Sequence, residues 1–195
     1  MQRENAKKQH HVELPALETK RLLLKEFNPE IQKELFTTCS DNEIMKVLGL
    51  GTKEELEVER GKFQKGMTTY QMSFKTFLIE EKASGRIIGK CGFHDWYSEH
   101  MRSELGYALS AEETRGKGYM TEALKAIIKF GFEEMELNRI EAFTAPGNVP
   151  SRKMLRGLGF IEEGTLRSHY FKNGKLEDSV CYALLRKEYD LIKKQ

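Results

Sequence analysis

The sequence predicts a single mixed α/β domain, with elements in the order β-α-α-β-β-β-α-β-α-β-β. Three observations carry that prediction. Three short apolar-rich runs, "SFKTFLIEE", "GRIIGKCGFHDWY" and "SELGYALS", follow one another with turn residues between them, as strands do. Then Met120, Ala123, Leu124, Ile127, Ile128 and Gly131 recur at helical spacing. Near the end, Asn173-Gly174 separates two more strand-like runs, and that dipeptide is a strong hairpin signal because both residues tolerate positive φ.

Taken in order, "RLLLKEF" is a strand stopped at Asn28-Pro29. From Pro29 to about Leu48 the apolar residues Ile31, Leu35, Phe36, Ile44, Val47 and Leu48 take a helical spacing. The polar stretch "TKEELEVERGKFQKGMTTY" is a second helix, with Thr52 as N-cap and Glu55 completing a capping box. The next two strands join at Lys82-Ala83-Ser84-Gly85. In "SELGYALS", Leu105, Tyr107 and Leu109 share one face and Glu104, Gly106 and Ala108 the other. After the long helix, "RIEAFTA" is a strand and "NVPSRKMLRGLG" a short helix with Pro150 in its first turn and a glycine stop. "FIEEGTLRSHYF" and "LEDSVCYALL" form the last hairpin. Residues 1–14, including His10 and His11, read as a flexible lead-in, 15–188 as the domain and 189–195 as a tail.

Composition excludes several classes. The net charge is +2 over 195 residues, so neither nucleic acid nor an anionic membrane surface is an expected partner. Cys39, Cys91 and Cys181 lack metal-ligand spacing, so no metal and no disulfide framework is expected, and reduced thiols fit a cytoplasmic protein. Cys91 and Cys181 lie in strand patterns, as buried inert thiols do. No apolar run approaches the roughly 18 residues of a membrane span.

"RGKG", Arg115 to Gly118, stands directly before the long helix. Glycine costs stability at a helix start unless the backbone there is used. The first N–H groups of a helix lack intrahelical partners and carry the positive end of its dipole, so a phosphate or pyrophosphate fits there. Arg115 and Lys117 add charge. The nucleotide-binding loops do not match, since Tyr119 follows where one pattern needs Ser or Thr, and Thr121 replaces the third glycine of the other.

With "ETKRLLLKEF", "GRIIGKCGFHDW", "SELGYALSAEETRGKGYMTEAL" and "NVPSRKMLRGLGF" taken together, the chain resembles the GNAT superfamily of acetyl-CoA-dependent N-acetyltransferases from about Leu17 to Leu185. Its branch resembles the RimJ/RimL-type enzymes, which act on N-termini of ribosomal proteins. The resemblance implies an α+β fold with a central, mostly antiparallel, splayed sheet of about six to seven strands flanked by about four helices. It implies a bulged central strand, Glu104 to Ser110, with acetyl-CoA in the gap beside it. Backbone groups at Leu109 and Ser110 would meet the pantetheine arm. Those of Arg115, Gly116, Lys117, Gly118, Tyr119 and Met120 would meet the pyrophosphate. In the family's loop motif the two glycines match Gly116 and Gly118, while the first position falls on Glu113, leaving Arg115 to offer the basic contact. Asn148 matches the residue that bonds the pantetheine amide, and is equally an N-cap.

Acetyl transfer to an amine asks for a base to take the ammonium proton, donors for the developing oxyanion and an acid for the departing thiolate. By resemblance, Glu104 is the base, a backbone N–H near Leu109 the oxyanion donor, and Ser151 the group that relays a proton to sulfur. The tyrosine that many members place after the Asn is absent, since Leu155 stands there. His94, Trp96 and Tyr170 are expected on the substrate side. His94 and Asp95 are adjacent in a strand pattern, which points them to opposite faces. The acceptor follows the branch, a protein N-terminal amine. A small amine, polyamine, amino acid or antibiotic stays open, as does a non-catalytic acyl-CoA-binding module, and as oligomer a monomer or a homodimer.

Overall fold

The computed structural model describes residues 12, 14–65, 73–110 and 112–194. The expected lead-in histidines, and the continuation of the second helix through residues 66–70, lie outside them. The strands are β1 (Ala16–Glu18), β2 (Leu22–Phe27), β3 (Ser73–Glu81), β4 (Arg86–Tyr97), β5 (Arg102–Leu109), β6 (Arg139–Thr144), β7 (Ile161–Lys172) and β8 (Lys175–Leu185). The helices are α1 (Pro29–Thr38), α2 (Asp41–Leu48), α3 (Lys53–Lys65), α4 (Tyr119–Glu133), α5 (Val149–Gly157) and α6 (Arg186–Ile192). One eight-stranded sheet runs in the order β1-β2-β3-β4-β5-β6-β8-β7. The class is the one expected, with more elements than expected, and each addition has a physical cause.

β1 is three residues long, too short to show a period. The single helical pattern from Pro29 to Leu48 is two helices. Cys39 ends the first in extended backbone, and Ser40 caps the second in a capping box with Glu43. The Thr52–Glu55 box is present, with bonds of 3.2 and 3.1 Å in the two directions. The segment 189–195, expected as a tail, falls partly in α6. There Tyr189 stacks on Phe132 with ring centroids 4.7 Å apart. The Asn173-Gly174 turn has φ of 51° and 77°, both positive as a tight hairpin demands.

Apolar side chains on the two faces of the sheet form two cores. One gathers Phe77, Ile79, Phe93 and Leu105 under the buried stripe of α4, with Leu155 from α5. The other joins Leu78 and Phe27 to Leu35, Ile44, Leu48 and Leu56 of α1–α3. The molecule is therefore three layers, with the sheet between α1–α3 and α4–α6.

All neighbouring strands pair antiparallel except β5 and β6, which pair in parallel at Arg102↔Arg139, Ser103↔Ile140 and Glu104↔Glu141. Beyond Glu104 the two strands part, and β6 continues to Thr144 paired with β8 alone. The sheet is thus splayed. The bulge expected in the central strand lies instead on its neighbour, because β5 keeps an unbroken register with β4 from Glu104 to Leu109. The register shift falls between His94 and Tyr97, where Asp95 adopts φ 48°.

Candidate active site

The gap between β5 and β6 has a closed end at Glu104 and Glu141 and opens toward Leu109. The Ser110 N–H donates to the Ile88 carbonyl at 2.9 Å. Alternation along an antiparallel ladder then turns the backbone groups of Tyr107 and Leu109 away from β4 and into the gap. Leu109 thus offers the open strand edge expected of it. Ser110, expected beside it, spends its N–H on β4.

At the open end, α4 begins with Gly118 as N-cap at φ 76° and no side-chain cap. Gly116 has φ 74°, and an added Cβ there would meet nothing within 4 Å. The first ladder bond of α4 runs from Glu122 N–H to the Gly118 carbonyl at 3.1 Å, so the N–H groups of Tyr119, Met120 and Thr121 stand ahead of it. Among the described residues this is a cradle of unspent donors at the positive end of a fifteen-residue helix. A pyrophosphate fits it. Of the expected basic contacts, Arg115 pairs with Glu112 at 3.2 Å and is exposed. Lys117 is also exposed. Met120 buries its side chain in the core, so its backbone is what faces the loop.

Sequence reasoning missed what holds this loop. Arg21, from the "TKR" segment before β2, bonds the Lys117 carbonyl at 3.0 Å and Glu122 at 2.6 Å, and lies 4.5 Å from the centre of the Tyr119 ring. The Tyr119 hydroxyl donates to Glu81. Thr19 adds a 2.7 Å bond to Glu122. Glu122 and Tyr119 are the first-turn residues of α4, so the clamp fixes the direction in which its N–H groups point. The signal available was an arginine beside an apolar strand with no partner near in sequence.

At the closed end, Glu104 keeps only 14% of its side chain exposed. Burial pushes its carboxyl up to about 7, and the negative charges of Asp95 and Glu141 add to the rise, against a hydrogen bond from Tyr170. The neighbouring glutamate differs in kind: Glu141 is held by Arg102 at 3.1 Å and Arg139 at 2.7 Å, while Glu104 has no arginine or lysine partner among the described residues. His94 lies with Nε2 3.6 Å from Glu104, and burial lowers its pKa against the pull of Asp95, which favours neutral imidazole.

The bulge explains this grouping. His94 and Asp95 were expected on opposite faces. The positive φ of Asp95 turns its carboxylate back to 3.9 Å from His94 Nδ1. Asp tolerates that backbone better than most residues. A ring nitrogen of His94 and a carboxylate oxygen each of Asp95 and Glu104 all lie within 4.8 Å of one another, a spacing that one bridging water can span. Tyr170 reaches the group from β7, where the register shifts between Leu166 and Tyr170. Trp96 does not join it. Its indole packs against the main core, with Nε1 buried and lacking a partner among the described residues. Glu141 was not singled out from the sequence, since it reads as an ordinary polar strand position, and Asp95 was weighed only as a strand neighbour facing away from His94.

Across the gap, Asn148 caps α5 by accepting the Ser151 N–H at 3.3 Å. Ser151 is buried, and its Oγ lies 2.6 Å from the Tyr107 hydroxyl. Tyr107 was legible only as an apolar-face residue of β5. On the α1–α3 side, a cavity of 1180 Å³ reaches from Val58 and Phe63 of α3 to His94 and Gly106–Ser110, so the site opens onto a roomy, mostly apolar hollow. The exposed rims of His94 (41%) and Tyr170 (46%) leave the carboxylate approachable from outside. No helix among the described residues is long and apolar enough to cross a membrane.

Comparison with known proteins identifies the family. The family model described as "Acetyltransferase (GNAT) domain" matches residues 21–161. The chain is similar to the uncharacterised N-acetyltransferase p20 of Bacillus licheniformis, 34% identical over 90% of this chain and 99% of that one. It is 38% identical to a Bacillus subtilis protein named "Putative ribosomal N-acetyltransferase YdaF", over 54% of this chain and 57% of that one. Among solved structures, a GNAT-family acetyltransferase from Bacillus anthracis superposes with a TM-score of 0.62 at 27% identity, covering 89% of this chain and all of that one.

Proposed function

The chain belongs to the GNAT acetyltransferase family and is an acyltransferase; from that premise we propose that it moves an acetyl group from acetyl-CoA to a primary amine, the N-terminal amine of a protein of ribosomal type. The observation that carries the chemistry is Glu104, a largely but not fully buried carboxyl poised near neutral pH at the closed end of a strand gap. A base matched to the working pH takes protons efficiently.

Acetyl-CoA supplies an activated acyl carbon and a thiol leaving group. The residues do the rest. The α4 N-terminus and its glycines hold the pyrophosphate. The open backbone of Tyr107 and Leu109 receives the pantetheine as an added strand, with the Leu109 N–H available to the carbonyl oxygen. Glu104 takes the ammonium proton, and neutral His94 beside it offers an exit toward solvent. The approachable rim at His94 and Tyr170, and the likeness to YdaF, favour a protein acceptor. A small diamine is the second reading, favoured by Asp95, an exposed carboxylate beside the base.

The test is thiol release from acetyl-CoA against a panel of Ser- and Ala-initiated peptides and small amines. Release driven by peptides supports the proposal, and release driven only by polyamines moves the acceptor to the second reading. Tight binding with no release across the panel leaves an acyl-CoA-binding module. The loop clamp gives a separate expectation: Arg21→Ala should raise the KM for acetyl-CoA about tenfold, the scale of a lost charge-assisted bond, with kcat near wild type. A change confined to kcat would contradict that role.

A further inference from the structure

The open part of the β5–β6 gap is crossed by one hydrogen bond among the described residues, that between the Tyr107 hydroxyl and Ser151 Oγ at 2.6 Å. Tyr107 comes from the strand on one side, and Ser151 from the first turn of the helix on the other. Neither hydroxyl has a second partner among the described residues. Two hydroxyls so paired share one proton and leave the other to donate elsewhere. A phenol is the stronger donor and an aliphatic hydroxyl the better acceptor. Burial raises the Tyr107 pKa further, so the phenol keeps its proton. Tyr107 therefore donates to Ser151, and the Ser151 proton is the one left over.

We propose that Tyr107 is a positioning residue that makes Ser151 a hydrogen-bond donor to an anionic sulfur in the gap. The inference rests on the reading that acetyl-CoA occupies that gap. In the transfer the carbon–sulfur bond breaks and its electron pair stays on sulfur. The ammonium first loses one proton by way of Glu104 and His94 to solvent; the neutral nitrogen then bonds to the acyl carbon, and its surplus proton goes to the freed Glu104 carboxylate. Ser151 stabilises the thiolate without surrendering its proton, and the thiolate takes one from solvent after release. Tyr107 fills the need that the missing helix tyrosine at Leu155 leaves open, from the opposite wall.

The test needs no acceptor. CoA and desulfo-CoA, which lacks the sulfur, are titrated calorimetrically into wild type, Tyr107→Phe, Ser151→Ala and the double variant, at pH 7 and 9.5. Free thiol has a pKa near ~8.5 by analogy with cysteine, so thiolate dominates at the higher pH. Wild type should prefer CoA about tenfold at pH 9.5, the scale of one hydrogen bond to a charged group, and less at pH 7. Tyr107→Phe and Ser151→Ala should each abolish that preference while binding desulfo-CoA like wild type, and the double variant should lose nothing more. A Tyr107→Phe variant that keeps the preference, or that weakens both ligands equally, overturns the assignment. Wild type that binds neither ligand overturns the reading of the gap, and this inference with it.

Discussion

Glu104→Gln is expected to lower kcat/KM by about 10²- to 10⁴-fold, the range for loss of a general base, while acetyl-CoA still binds. Glutamine keeps the shape and cannot take a proton. The wild-type rate should climb with pH through about 7, as Glu104 ionises, and the residual rate of the variant should lack that limb. Among the described residues, His94, Asp95, Glu141 and Tyr170 face the carboxyl, with the Cys181 thiol also within its field. Stability runs the other way. The folded-state value lies above the ordinary 4.5, so the native protein binds this proton more tightly than the unfolded chain does. That contribution is complete below about 4.5 and is lost as pH rises through about 7. Glu104→Gln should therefore melt above wild type at pH 8 and close to it at pH 5. Equal melting at both pH values, with an unchanged rate profile, would remove Glu104 from the role of base.

Phe132→Ala should be the most destabilising of these changes, by roughly 3–5 kcal/mol for a buried aromatic, seen as a drop in thermal midpoint of roughly 10 °C. Phe132 is fully buried on α4, stacks on Tyr189 and carries the Arg186 guanidinium 5.6 Å from its ring centre. The loss combines a cavity with release of α6. Leu191→Ala, at a 63% exposed position of the same helix, is the control and should move stability by about 0.5 kcal/mol or less. Urea unfolding of both variants checks the contrast. Similar losses from the two would mean that α6 contributes through its surface rather than through the Phe132 ring.

The strand-and-helix skeleton was readable because periodicity reports burial, and burial here is simple: two faces of one sheet, each under helices. The glycines before α4 were readable because helix ends obey local rules. Several parts were not. The α1–α2 break rests on Ser40 and Glu43, which sit inside a continuous apolar period. The Arg21 clamp joins residues 101 apart in sequence. The bulge at Asp95 reverses the alternation on which His94 and Asp95 were assigned to opposite faces, and no neighbouring residue announces it. Tyr107 hid in the apolar alternation of β5, although a buried phenol seeks a partner, and that partner, Ser151, had been read for itself. Site chemistry here depends on contacts between distant segments, which pattern reading does not see.

The parallel pairing of β5 with β6 divides the sheet's mechanics as well as its topology. Every other neighbouring pair is antiparallel, whereas this one stops at Glu104 and Glu141. Among the described residues, widening the gap therefore breaks no ladder bond above those residues, and costs the Tyr107–Ser151 bond and some side-chain packing. Fewest ladder bonds resist opening at this joint, so local opening is expected there before the rest of the sheet yields. A guest that laid its own amides along Tyr107 and Leu109 would stiffen that joint, so local rigidity would become a gauge of how full the gap is.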